Sequence, residues 1–197
     1  MTSAPFIVGI GGTTGEGSAT ESALRVALAS AERHGALTRL FGGQALAALP
    51  HYARGEEGAA SDLIDAVRAA DGLILASPGY HGSISGLVKN AVDYLEATAR
   101  DPRVYLDGLP VGLIVTAYGW QATGSTLATL RSIVHALRGW PTPLGAAIKS
   151  EVGMFDGGTC VDAAASAQLS LVGEQVVEFS RLRLRAPAIT RTEPAAD

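Results

Sequence analysis

The 197-residue sequence predicts a three-layer α/β/α sandwich on a five-stranded parallel sheet in the order 2-1-3-4-5. Three observations predict it. Short apolar runs alternate with stretches of helical period along the chain. Runs such as Leu73-Ile74-Leu75-Ala76 are continuously apolar, the mark of strands buried on both faces. Glycine-rich stretches follow the first, third and fourth runs, where an open parallel sheet binds its ligands. No repeat and no second domain boundary is visible. One domain is therefore expected over residues 1–184, with a tail at 185–197 that carries Pro187 and Pro194.

Residues 6–10 form the first strand, ending in Gly11-Gly12. Thr13-Thr14-Gly15-Glu16-Gly17-Ser18-Ala19-Thr20 then leads into a helix over 21–34, with Leu24, Ala27, Leu28 and Ala31 inward and Gly35 closing it. A hydroxyl- and glycine-rich loop before a helix N-terminus suits an anion, because free N–H groups and the helix dipole both favour negative charge. Gly12 and Gly17 have the outer spacing of a nucleotide P-loop, but no lysine follows Gly17, so an NTPase is disfavoured. Thr14 stands where G-x-G-x-x-G needs its last glycine, which disfavours a dinucleotide site. A single phosphate monoester fits the loop. Plain helix capping by Ser18 or Thr20 is the alternative.

A second strand spans 38–41. Residues 42–58 are irregular and read either as a lid or as an ordinary surface loop. A helix over 61–70 turns Leu63, Ile64 and Val67 inward, with Ser61 or a neighbour as its cap. The third strand, 73–76, runs into a breaker cluster over 77–86. Here Pro78 stiffens the entry, Gly79, Gly82 and Gly86 permit close approach, and Tyr80 and His81 offer planar faces. That composition suits either a grip on a flat ligand or an ordinary strand-to-helix turn. Helix 87–99 buries Leu87, Val88, Ala91, Val92 and Leu95, and its Lys89 and Asp93 can pair at i, i+4. The fourth strand, 110–117, ends in a loop over 118–124 bearing Tyr118 and Trp120. Helix 127–137 contains His135, read as structural. Residues 139–143 are a stiff turn into the fifth strand, 144–148. A glycine-rich, mobile stretch over 153–159 precedes the closing helix, 163–184.

With 47% hydrophobic and 17% charged residues, a full core is feasible. The net charge of −4 argues against a nucleic-acid partner. No apolar run reaches the ~18 residues of a membrane span, and no basic start with an apolar core suggests a signal peptide. The single cysteine, Cys160, allows no internal disulfide and fits a reducing cytoplasm; without a flanking cation or histidine it is not read as a nucleophile.

Ser77-Pro78-Gly79-Tyr80-His81-Gly82-Ser83-Ile84-Ser85-Gly86-Leu87-Val88-Lys89-Asn90-Ala91-Val92-Asp93 resembles the P-x-Y-x-G-x-x-x-G-x-x-K-N-x-x-D motif of NAD(P)H-dependent FMN reductases, which are flavodoxin-like flavoproteins. His81 and Ser85 depart from the Asn and Pro often found there. Gly12-Thr13-Thr14 keeps the opening of the family's G-S/T-x-R loop, with Gly15 in place of Arg. The resemblance spans residues 5–180.

It implies a flavodoxin-like fold and an FMN site. The phosphate would lie at Thr13, Thr14, Ser18 and Thr20, and the ring at Pro78, Gly79, Tyr80, His81, Gly82 and Ser83. The pyrimidine edge would meet Thr116, Ala117, Tyr118 and Gly119, with Tyr118 or Trp120 either stacked on the ring or buried at a subunit interface. Asn90 would hold the ring loop. The implied activity is hydride transfer from NADPH or NADH to FMN, supplying reduced flavin to a flavin-dependent monooxygenase. The alternative is tightly bound FMN acting on quinones, azo compounds or metal ions. No side-chain acid or base is required, so no catalytic residue is named, and no metal ligand either. The apolar crevice loops lead us to expect a homodimer or homotetramer.

Overall fold

A computed structural model describes residues 4–156 and 158–186. The strands are β1 (Phe6–Gly11), β2 (Leu37–Phe41), β3 (Gly72–Tyr80), β4 (Ser83–Ile84), β5 (Pro110–Ala117), β6 (Trp140–Lys149), β7 (Phe155–Asp156) and β8 (Thr159–Cys160). The helices are α1 (Ala19–Arg33), α2 (Gly43–Ala47), α3 (Ser61–Ala69), α4 (Gly86–Asp93), α5 (Trp120–Ala136) and α6 (Ala163–Arg185).

The sheet runs β2-β1-β3-β5-β6, all parallel. This is the expected 2-1-3-4-5 order, since β4 is a short extra strand paired antiparallel to the end of β3. Successive residues of the central strands alternate between two cores. Ile7, Ile74 and Ile114 meet α1 and α6 through Leu24, Leu28, Leu169 and Val172. Val8, Leu73, Leu75, Leu113 and Val115 meet the other helices through Leu63, Val67, Val88 and Leu130. Both faces are covered, which is why these strands read as unbroken apolar runs. Gly11 pairs with Ala76, Pro78 with Thr116 and Ala117 with Lys149, so the carboxyl ends of β1, β3, β5 and β6 lie along one edge.

Several boundaries differ from expectation. β3 runs to Tyr80 instead of ending at 76, and α4 ends at Asp93, the rest of the expected helix to 99 being a tighter 3-10 turn over Tyr94–Thr98. The stretch 42–58 contains α2, where Leu46 is 1% exposed and anchors a single turn into the core. The loop expected over 118–124 is mostly helix, because α5 begins at Trp120. Its first turns tolerate Gly124 and hold together through Thr123, buried, whose hydroxyl donates to the Trp120 carbonyl at 2.8 Å. β6 begins at Trp140 rather than 144, with an irregularity opposite Val111–Leu113 that absorbs Pro141 and Pro143 on an edge strand. The glycine-rich stretch after β6 holds the antiparallel β7–β8 ribbon. Of the expected tail, residues 187–197 lie outside the described residues.

Candidate functional site

The loop between β1 and α1 carries exposed hydroxyl and backbone groups at the expected positions. Ser18 is the N-cap of α1, and its hydroxyl accepts from the Glu21 N–H at 3.2 Å. The N–H groups just before Glu21 remain directed out of the helix end. Thr14, Gly15, Glu16 and Gly17 are exposed, and Thr13 Oγ1 accepts from the Gly15 N–H at 3.2 Å. Thr20 departs from expectation. Its hydroxyl is buried against that of Thr116, 2.6 Å away, and the two side chains tie α1 to β5 rather than line an open wall.

The loop after β3, expected to hold the ring, is a hairpin. Gly79 pairs with Ile84 and Tyr80 with Ser83, leaving His81 and Gly82 as a two-residue turn. Both have positive φ, 51° and 83°, as a type I′ turn demands. Pro78 is buried in the sheet, whereas Tyr80, His81, Gly82 and Ser83 are exposed. Ser77 Oγ closes the base by accepting from the Ser85 N–H at 3.0 Å, and Ser85 caps α4 through the Val88 N–H at 3.2 Å. Thr126 of α5 donates to the Ser83 carbonyl at 3.2 Å. The hairpin therefore rests on the start of α5.

The third loop is short. Thr116 and Ala117 are buried, Tyr118 is 83% exposed, and Gly119 is the N-cap of α5 with no side chain bonded to the helix end. The Ala117 carbonyl accepts from the Ser150 N–H at 2.8 Å, which brings the end of β6 to this corner. Ser150 Oγ is buried and has no hydrogen-bond partner. A hydroxyl without a partner at the end of β6 and a helix N-terminus without a side-chain cap thus lie at this corner.

The K-N-x-x-D helix does something other than expected. Lys89 and Asp93 do pair, at 2.6 Å and partly exposed. Asn90, however, holds the 50–52 segment: its amide donates to the Pro50 carbonyl and accepts from the Tyr52 N–H, each at 2.8 Å. Tyr94, wholly buried, adds a 3.0 Å bond to the same carbonyl. Sequence reading also missed Glu21, whose carboxylate accepts from the Gly43 N–H at 2.9 Å. No motif flags it, because its partner lies on another element. Cys160 is buried with its thiol pushed up by burial, unlike a nucleophile.

These groups fit FMN. Hydroxyls and N–H groups lie at β1, a rigid hairpin at β3, and an uncapped helix with an orphaned hydroxyl at β5 and β6. The loop between β1 and α1 contributes no cation, and Gly15 stands where the resemblance would place Arg.

The family model described as NADPH-dependent FMN reductase matches residues 5–152. An FMN-dependent NADPH-azoreductase of Staphylococcus haemolyticus (strain JCSC1435) is 36% identical over 121 residues, covering 60% of this chain and 61% of that protein. The matched stretch thus spans less than two thirds of that relative. The flavoenzyme NAD(P)H:(acceptor) oxidoreductase FerB from Paracoccus denitrificans superposes with a TM-score of 0.71 at 19% identity, covering 91% of this chain and 98% of that one. The apo form of the NADH:FMN oxidoreductase EMOB does so with 0.68 at 22%, covering 93% and 92%. At such identities these likenesses carry the fold alone, which is flavodoxin-like. The three loops on one sheet edge and the family match over residues 5–152 together make this chain a member of the NADPH-dependent FMN reductase family, whose cofactors are FMN and NAD(P)H.

Proposed function

We propose that this protein is an NAD(P)H-dependent reductase that holds FMN at the carboxyl edge of its sheet and reduces a flat acceptor of the azo or quinone class. The observation that carries the reading is the meeting of three loops, from β1, β3 and β5, along one edge. Thr13, Thr14, Ser18 and the first turn of α1, including the Thr20 N–H, take the phosphate. Pro78 to Ser83 present a preorganised backbone to the ring, and Thr116 to Gly119 place the start of α5 at its pyrimidine edge, where N–H groups favour negative charge. FMN, when bound, supplies the two-electron relay between nicotinamide and acceptor. The chain's part is to orient both partners; no side-chain acid or base is assigned. Exposed Tyr80, Tyr118 and Trp120 (53%, 83% and 66%) rim the edge and offer planar contact to an aromatic acceptor. The azoreductase relative supports this acceptor class.

A second reading is supply of reduced FMN to a flavin-dependent monooxygenase. The absence of a cation from the phosphate loop favours it, since a loosely held flavin exchanges readily. One experiment separates the two. The visible spectrum is recorded, then NADPH and NADH oxidation is followed with an azo dye, with and without free FMN. Yellow protein that reduces the dye and gains nothing from added FMN supports the first reading. Colourless protein whose turnover saturates with FMN moves the assignment to flavin supply. No flavin binding at all overturns both.

The same reading includes a homodimer or homotetramer. A groove of about 480 Å³ between α4 and α5 has a floor of Val92, Ile133 and Leu137 and a rim bearing Lys89, Asp93 and Glu96. Apolar floor and mixed charge suit a second copy. We also place the domain at residues 1–184 and the protein in the cytoplasm. No helix among the described residues is long and apolar enough to cross a membrane.

A further inference from the structure

We infer that Glu21 is a positioning residue for the ligand phosphate, latching the start of α2 against the loop between β1 and α1 and so setting the shape of the anion site. The inference rests on the proposed reading that this loop holds the phosphate of FMN. Glu21 stands in the first turn of α1. Its Oε2 accepts from the Gly43 N–H at 2.9 Å, and its Oε1 accepts from Arg25 Nη2 at 2.6 Å. The surroundings are built around that bond. A Cβ at Gly42 would fall 2.6 Å from Glu21 Oε2, and one at Gly12 would fall 2.6 Å from the Gly43 nitrogen. A Cβ at Gly43 would lie 1.7 Å from the Thr13 carbonyl oxygen. Backbone thus lies flush on backbone between Gly12, Thr13 and Gly43, where only glycine permits it, and Gly42 leaves room for the Glu21 carboxylate. Gln44 extends the contact, its amide donating to the Thr14 carbonyl at 3.2 Å. The residues proposed to meet the phosphate, Thr13 and Thr14, are gripped by α2, and α2 is gripped by Glu21.

A carboxylate beside a phosphate site is an electrostatic liability, and Arg25 offsets it. The useful property of Glu21 is then its acceptor oxygen and not its charge. Glutamine keeps an acceptor; alanine removes it.

The test compares FMN with riboflavin, which lacks the phosphate, by quenching of flavin fluorescence in the wild type, Glu21→Ala and Glu21→Gln, with thermal midpoints recorded alongside. The wild type is expected to prefer FMN. Glu21→Ala should lose about tenfold in FMN affinity, the scale of one lost hydrogen bond, with riboflavin affinity unchanged. Glu21→Gln should keep the FMN preference. Equal losses for the two flavins in Glu21→Ala, or a Glu21→Gln protein as impaired as Glu21→Ala, overturns the latch. If Glu21→Ala does not fold, Gln44→Ala decides, because it removes the exposed link from α2 to the Thr14 carbonyl. It should weaken FMN severalfold with riboflavin unchanged, and wild-type FMN affinity in that variant overturns the proposal. A wild type without preference for FMN overturns the phosphate reading itself, whatever the variants do.

Discussion

His81 and Gly82 show how far single residues could be read. Their breaker character was plain, but the hairpin was not, because a two-residue strand at Ser83–Ile84 has no periodicity to detect. Gly82 has φ of 83°, and a Cβ there would meet only Ser125 Oγ at an ordinary 3.7 Å, so backbone strain is the main obstacle to a side chain. Gly82→Val should cost about 1–2 kcal/mol in local strain. It should weaken FMN binding by tenfold or more in a protein that still unfolds cooperatively, which fluorescence titration and thermal melting together check. Unchanged FMN affinity would displace the ring from this hairpin. The Thr20–Thr116 contact joins positions far apart in sequence, so it becomes visible only once α1 and β5 are placed. The same holds for Glu21. Burial acts to raise its carboxyl pKa, but the Gly43 N–H and the Arg25 guanidinium outweigh that and hold it below the ordinary value. A depressed folded-state pKa adds stability above the unfolded value, near 4.3, and that stability fades as pH falls through the folded value. Denaturation midpoints of Glu21→Gln should therefore fall less steeply below about pH 4.3 than those of the wild type.

Elements were legible where an apolar stripe was long, and blurred where polar groups decide. The stripes of α1, α3, α4 and α6 sit where expected, while α5 starts early because Thr123 and Thr126 are buried, which hydropathy alone does not suggest. The end of α3 depends on a residue outside it. Arg103 donates to the carbonyls of Val67, Arg68 and Ala70, capping the helix C-terminus with a cation. Burial lowers its pKa, with Arg183 adding to the effect, yet guanidinium stays charged at any ordinary pH. Arg103→Met leaves those carbonyls without their donor and should destabilise by about 2 kcal/mol in chemical denaturation, with no change in flavin affinity. Asn90 belongs to this scale too. Its place in the K-N-x-x-D pattern suggested a partner in the preceding loop, whereas the helix turns it toward Pro50 and Tyr52.

At the scale of the molecule, strand order was the most legible property, because continuous apolar runs, helical stripes and glycine-rich carboxyl ends agree on one architecture. Assembly was the least legible, since a docking surface resembles a core stripe in sequence. We predict that sedimentation will give a dimer or tetramer mass. Lys89→Glu, in the groove between α4 and α5, should shift it toward monomer; a wild-type monomer would remove that surface from consideration. The clamp on Pro50 and Tyr52 bears on enzymatic cutting of the backbone. Arg54, its side chain 83% exposed, stands just past the clamp on a stretch without regular structure. Trypsin should nick there first. The piece holding β1 and β2 would stay bound through the ladder to β3, so a nicked molecule should migrate intact under native conditions and separate into two bands only in denaturant.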